Sequence, residues 1–268
     1  MPARFVEDLS SPALQEFLKK CDTAVIPVAS IETHGPHLSL CADPLVADGM
    51  LRRAAPLIDA DVLILPMIHY AVVCQHGFER NPAYPGNIGV REETLTAYLK
   101  DIAHCLGRDG IKKLVIYNGH GGNTAMLRVA CVDIEKEVLG LYCFSWFVIN
   151  GMKIAEMFAG QVTGHGCAFE TSLDMALCPQ NVWMETNPPA NEPRRAPLGE
   201  AREMSFFPDW VYTTRGHGYI GDPKQASAEQ GEELIAQALD AFVPAIENLA
   251  RLDVAELEPV EKPNQPFN

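Results

Sequence analysis

Hydrophobic and polar positions divide the chain into short apolar runs separated by segments whose apolar residues recur every three or four places. TAVIPVAS (23–30), DVLILPMI (61–68), KKLVIYNG (112–119) and LGLYCFSW (139–146) read as strands, the third most clearly. Residues 44–58, 91–107 and 124–138 carry helical spacing. In 91–107, Leu95, Tyr98, Leu99, Ile102 and Leu106 fall on one face. Near the start, Ser11 and Pro12 read as an N-cap and first helical position, with Leu14, Phe17 and Leu18 on one face. Near the end, Ser227 opens a final helix and Gln230 completes a capping box. Its apolar stripe is Leu234, Ile235, Ala238, Phe242, Ile246 and Leu249, and Pro244 is expected to kink it.

Strands alternating with helices predict βαβ units. The expected fold class is therefore α/β, a central, mostly parallel sheet flanked by helices. A single domain spans 1–268, with its core at about 20–250. Within it, 74–89 is a long polar loop, 186–209 a surface loop or lid rich in Pro, Asn and Arg, and 257–268 a Pro-rich tail.

Ligands of such sheets bind where loops leave the carboxyl ends of strands. Two polar motifs occupy that position. IETHGPHLSLCADPLVADG (31–49) follows the first strand and NGHGGN (118–123) ends the third. Borderline divalent metals bind imidazole nitrogens and carboxylate oxygens, and a metal pair needs a carboxylate to bridge it. Glu32 and His34, spaced i, i+2 in extended chain, share a face, and Asp43 follows after a loop. His120 lies among Gly119, Gly121 and Gly122, which permit tight turning. The competing reading of NGHGGN is a phosphate loop on a helix N-terminus, but it lacks the P-loop lysine and the G-x-G-x-x-G spacing. A third motif, GHGCAFETS (164–172), adds His165 and Glu170. Glu32, His34, Asp43, His120 and Glu170 suit two metals, which polarise a carbonyl and generate hydroxide. His165 is left over for acid–base work near neutral pH. Cys167 beside it also admits a Cys–His nucleophile.

A net charge of −14 argues against nucleic acid as partner. No apolar run reaches the ~18 residues that cross a bilayer, and the first residues lack a signal-peptide core, so no membrane association and a cytoplasmic location are expected. The eight cysteines are scattered singly without a C-x-x-C pair, as reduced thiols are.

IPVASIETHGPHLSLCADPLVAD, VIYNGHGGN, GHGCAFETS and RGHGYIGDPKQASAEQG (215–231) together resemble the creatininase (creatinine amidohydrolase) family over roughly residues 20–240. The resemblance implies hydrolysis of a C–N bond in a cyclic amide or formamide and a small-molecule substrate. It also implies two divalent metals per subunit, zinc first with manganese or iron as alternatives, and a homo-oligomer, with a hexamer expected. Carried over, Glu32 and His120 bind one metal, His34 the other, Asp43 bridges, and His165 acts on the leaving nitrogen. Creatininase has a ligand glutamate where this chain has Gly122, so Glu170 becomes the replacement ligand. It also has an aromatic where Gly121 stands. Both departures argue against creatinine as substrate. His37 is expected to orient a ligand, and His76, Tyr84, Gly121, Gly122, Asn123 and His217 to line or support the pocket. Two alternatives use the same motifs: C–C cleavage of a cyclic 1,3-dicarbonyl such as an oxidised inositol, and a non-catalytic metal- or sugar-binding protein.

Overall fold

A computed structural model describes residues 3–73, 85–194 and 213–257. His76, Tyr84, the rest of the loop through 84, and most of the 186–209 segment lie outside them. Five parallel strands form one sheet: β1 (Ala3–Phe5), β2 (Thr23–Val28), β3 (Val62–Ile64), β4 (Lys113–Asn118) and β5 (Tyr142–Phe147). Their spatial order is β1-β3-β2-β4-β5. The helices are α1 (Ser11–Phe17), α2 (Ala42–Ala54), α3 (Glu92–Arg108), α4 (Thr124–Glu137), α5 (Ile154–Met157), α6 (Ala168–Leu177) and α7 (Ala228–Arg251). The α/β class with helices on both faces is as the alternation predicted.

Side chains alternate across each central strand, so two cores form. Val25, Val115 and Tyr117 face α2, α6 and α7, packing with Met50, Leu173 and Phe242. Ala24, Ile26, Leu114 and Ile116 face the other way, toward Leu95 and Leu99 of α3 and Leu127 and Ile134 of α4. The helices after β2 and β4 therefore lie on opposite faces. That reversal opens a crevice between the carboxyl ends of these two neighbours, the place where ligands bind open α/β sheets.

The strand predicted over 61–68 pairs as β3 only through Ile64, then touches β2 again at the isolated bridge Val28↔Ile68. Prolines account for the break. On β2, the carbonyls of Val25 and Pro27 face β3's side, accepting from Leu65 and Ile68. Pro27 offers no N–H to that side, and Pro66, next to Leu65, lacks its N–H on the opposite side of the strand. At 139–146 the start shifts instead, because Leu141 N–H closes a turn on Val138 and β5 begins at Tyr142. β1 carried no strand signal in the sequence reading. It is three residues long and pairs only at the edge.

The caps also differ in detail. Ser10, not Ser11, is the N-cap of α1. Ser227 caps α7 and accepts from Gln230 N–H, but the reciprocal half of the box is missing. Ser227 N–H donates instead to Ser172 Oγ, tying α7 to α6. α7 runs continuously through Pro244.

One tie fixes the far end of α7. Lys113 lies on the same face of β4 as Val115 and Tyr117 and is 1% exposed. Its ammonium donates to the carbonyls of Ala250 (3.0 Å) and Leu252 (2.8 Å) and pairs with Asp22 at 2.9 Å. The last carbonyls of a helix have no intrahelical partner and carry its negative pole, so a buried cation there satisfies both needs. Lys113→Met is expected to destabilise the protein by about 2–3 kcal/mol, since buried acceptors lose a charged donor. Urea unfolding measures this, and a loss below ~0.5 kcal/mol would show that water replaces the ammonium.

Candidate metal centre

β2 and β4 pair in register to their last residues, Val28 opposite Asn118. The two motifs thus leave the sheet side by side. After β2, Glu32 N–H donates to Leu40 O and Thr33 N–H to Asn87 Oδ1, closing 32–40 into a loop. That loop delivers Asp43 into the first turn of α2. Asp43 makes no cap there, since Cys41 is the N-cap, and its carboxylate turns toward the crevice. After β4, Asn118 Oδ1 accepts from His120 N–H and from Asn123 Nδ2, while Asn123 Oδ1 accepts from Val72 N–H. This buried network holds the GHGGN turn and aims the imidazole of His120.

The predicted ligands converge. His120 Nδ1 lies 2.9 Å from Asp43 Oδ2 and 3.1 Å from Glu32 Oε1. His34 Nε2 lies 3.3 Å from Asp43 Oδ1, 3.8 Å from Glu170 Oε2 and 3.9 Å from Glu32 Oε1. Two nitrogen or oxygen ligands about 2.1 Å from one metal stand roughly 3.0–3.4 Å apart, so these spacings suit coordination. Asp43 divides its two oxygens between the two histidines, which is the posture of a bridging carboxylate. Glu32 belongs to two groups able to hold an ion, one with Asp43 and His120, the other with His34 and His165.

His165 stands at the crevice wall. Its ring stacks on His34 with centroids 4.1 Å apart, Nδ1 lies 3.4 Å from Glu32, and Nε2 is held by the Thr33 carbonyl. Glu170, in the first turn of α6, accepts from Gly166 N–H. Its side chain is 25% exposed, so it sits at the open side of the cluster. His37 lies behind, fully buried, with Nε2 at 3.0 Å from Gly166 O and 3.2 Å from Thr171 Oγ1. It binds the first motif to the third. Gly166, at φ 58°, lets the loop pass Tyr219, whose Cβ would lie 2.6 Å from any Cβ placed at 166.

The cavity over this cluster measures about 390 Å³. Glu32, His34, Asp43, His120, His165 and Glu170 all line it, as do Gly121 and Gly122. Among its described lining residues there is no Lys or Arg. Three carboxylates therefore meet three histidines with no fixed cation, a buried arrangement that divalent ions neutralise. The donor set fits zinc, manganese or iron.

Other candidates fall elsewhere. His217 is exposed and meets the edge of Tyr219 at 6.1 Å, outside the described cavity lining. Asn123 and His37 support the loops without lining the cavity. Cys167 is buried, its thiol donates to Gly164 O, and burial pushes it up to about 12, so it is no nucleophile at neutral pH. The sequence reading missed Asp174, which lines the cavity four residues after Glu170. Its i, i+4 spacing on one helix face was the available signal.

Gly122 is fixed by His120. A Cβ at 122 would lie 2.3 Å from Nε2 of the ring. The turn and the imidazole orientation are thus one feature, and any side chain here would need the ring to move.

A family model described as creatinine amidohydrolase matches residues 7–246. A creatinine amidohydrolase from Pseudomonas putida is 29% identical over 239 residues, covering 83% of this chain and 87% of its own. A mycofactocin precursor peptide peptidase from Mycolicibacterium smegmatis is 25% identical, covering 90% and 91%. A 3-dehydro-scyllo-inosose hydrolase from Thermotoga maritima is 23% identical, covering 97% and 88%. A crystal structure of creatininase superposes with a TM-score of 0.79 at 25% identity, over 93% of this chain and 98% of that one. A zinc–zinc form of a creatininase variant gives 0.77 at 25%, over 92% and 98%.

The charges of the metal-free site set its response to pH. Burial works against a charged imidazole, yet Glu32 and Asp43 lift His120 to about 10, and Asp43 foremost lifts His34 as well. Burial raises the Glu170 carboxyl, opposed by His34. Below the unfolded value of 6.5 both states of the chain hold the His120 proton; above it only the folded state does. Chelator-treated protein is therefore expected to lose stability as pH rises from about 6.5 toward 10, and raised Glu170 adds to the decline. Melting temperature against pH measures it, and a rise over that window would contradict the assignment. Gly122→Ala displaces the ring from its carboxylates, so the NMR titration of His120 in metal-free protein should fall toward 6.5. An unchanged titration would mean the ring tolerates the methyl.

Proposed function

The chain belongs to the creatininase family, and on that premise we propose that it is a hydrolase with two divalent metal ions that opens a C–N bond of a cyclic amide or formamide. What carries the reading is the convergence of Glu32, His34, Asp43, His120 and Glu170 in one buried cluster without a neighbouring Lys or Arg among the described lining residues. Glu32 and His120 would hold one ion, His34 and Glu170 the other, and Asp43 both. Zinc is the first choice, with manganese or iron suited to the same donors. Bound there, the ions supply a Lewis acid for the carbonyl and acidify water.

The chain's own groups do the rest. The Thr33 carbonyl takes the Nε2–H of His165, which leaves Nδ1, toward Glu32 and the cavity, as the nitrogen that gains and returns a proton. That proton goes to the departing nitrogen. Phe147, Ile149, Ile154 and Phe169 give the cavity apolar walls against which a substrate ring can pack. A cavity of about 390 Å³ accommodates a small ring compound. The relatives favour two readings of the bond. The Pseudomonas putida and Mycolicibacterium smegmatis proteins are named for amide or peptide substrates, and the Thermotoga maritima protein for an inosose. C–C cleavage of an oxidised inositol is the second reading.

Elemental analysis of purified protein is expected to find about two metals per chain, and Glu170→Gln to lose one. One metal or none in metal-replete wild type would overturn the binuclear site. His165→Ala should keep both metals and lose about 10²–10⁴-fold in turnover. Loss of a metal instead would make His165 a ligand of the Glu32–His34 group. Release of amine or ammonia from cyclic amides and formamides, against ring-opened C–C products from oxidised inositols, decides the bond.

A further inference from the structure

Asp174 is a buried carboxylate that the metal set leaves unused. It lies on α6 one turn beyond Glu170, is 1% exposed, and lines the same cavity. Its Oδ1 accepts from the Cys178 thiol at 3.1 Å, while Oδ2 is buried with no hydrogen-bond partner. A buried acceptor left unmade costs stability, and a donor brought in by a ligand would remove that cost. Leu would occupy the position at lower cost, beside Leu173 and Phe169. No Lys or Arg of the described lining residues competes for the free oxygen. The surrounding walls are apolar, with Val46, Phe147, Ile149 and Ile154 among them. Apart from the residues proposed to hold the metals, Asp174 is the charged group that a cation entering here would meet among the described lining residues.

We infer that Asp174 forms a cation-recognising subsite beside the metal cluster, and that the substrate carries an ammonium or amidinium group that donates to its Oδ2. The inference deepens the proposed function, because the group so anchored would hold the scissile amide over His34 and Asp43. Both are near enough to act electrostatically on Asp174. Burial raises its carboxyl to about 6, so it is largely ionised at neutral pH and ready for a cation. An aspartate reads a donor in this way and rejects anions, which gives the cavity a charge preference independent of the metals.

The test uses metal-loaded full-length protein and two probes of similar shape. Benzamidine is a cation with N–H donors; acetophenone is neutral with none. Calorimetry should show benzamidine bound in wild type, weakened about tenfold or more by Asp174→Leu and less by Asp174→Asn. Acetophenone binding should not weaken in either variant. Asp174→Leu should also raise the melting temperature by about 3 °C or more, since an uncompensated charge is removed. Equal benzamidine affinity in wild type and Asp174→Leu overturns the subsite. So does a fall in melting temperature, which would make Asp174 a structural group. Metal content separates this inference from the reading it rests on. Two metals in Asp174→Leu with benzamidine binding lost supports the subsite, whereas a lost metal would make Asp174 a ligand and overturn it. Two metals in wild type without benzamidine binding leaves the hydrolase reading standing and removes this one.

Discussion

The parallel pairing of β2 with β4, level at Val28 and Asn118, is the constraint on which the site depends. Each strand ends in a polar loop, and each loop leads to a helix on a different face of the sheet. Because the last paired residues are opposite one another, Glu32 and His120 start from the same height and meet within a few ångströms without help from long side chains. A register shift of one residue would turn every inward side chain of β2 outward and remove the motif from the crevice. The two cores that hold the register are large and dry. The candidate metal cluster can therefore concentrate charge at the carboxyl ends of the central strands without endangering the fold.

The second organising fact is that the cluster's parts hold one another. His37 joins the first motif to Gly166 and Thr171, Thr33 holds His165, and the Asn118–Asn123 pair sets His120. These contacts come from backbone carbonyls, amides and short polar side chains, which fix orientation better than long flexible groups do. The cavity walls and Asp174 lie outside this mutually held set, so the polar cluster and the rest of the lining are separate parts of the crevice.

Much of this was legible in the sequence. The strand preceding NGHGGN, the position of the polar motifs at the strand ends and the final helix were read in place, because apolar runs and glycine-flanked histidines are local signals. What escaped had causes beyond any local window. β3 stops early because Pro27 on the neighbouring strand lacks an N–H toward β3, while Pro66 lacks its own on the opposite side of the strand. Gln230 does not close its capping box because Ser172, fifty-five residues earlier, takes the amide it would have used. β1 is too short to show alternation. His217 belongs to the fourth motif yet is exposed, and Tyr219 stands between it and His37. Asp174 lay hidden because one acid on an amphipathic helix looks like any surface charge until its burial is known.

Gly122 carries a consequence for how such sites diversify. A side chain at 122 and the present pose of His120 exclude each other. A side chain can enter at 122 only together with a movement of the His120 ring, so the residue at 122 and the orientation of the imidazole change as one unit.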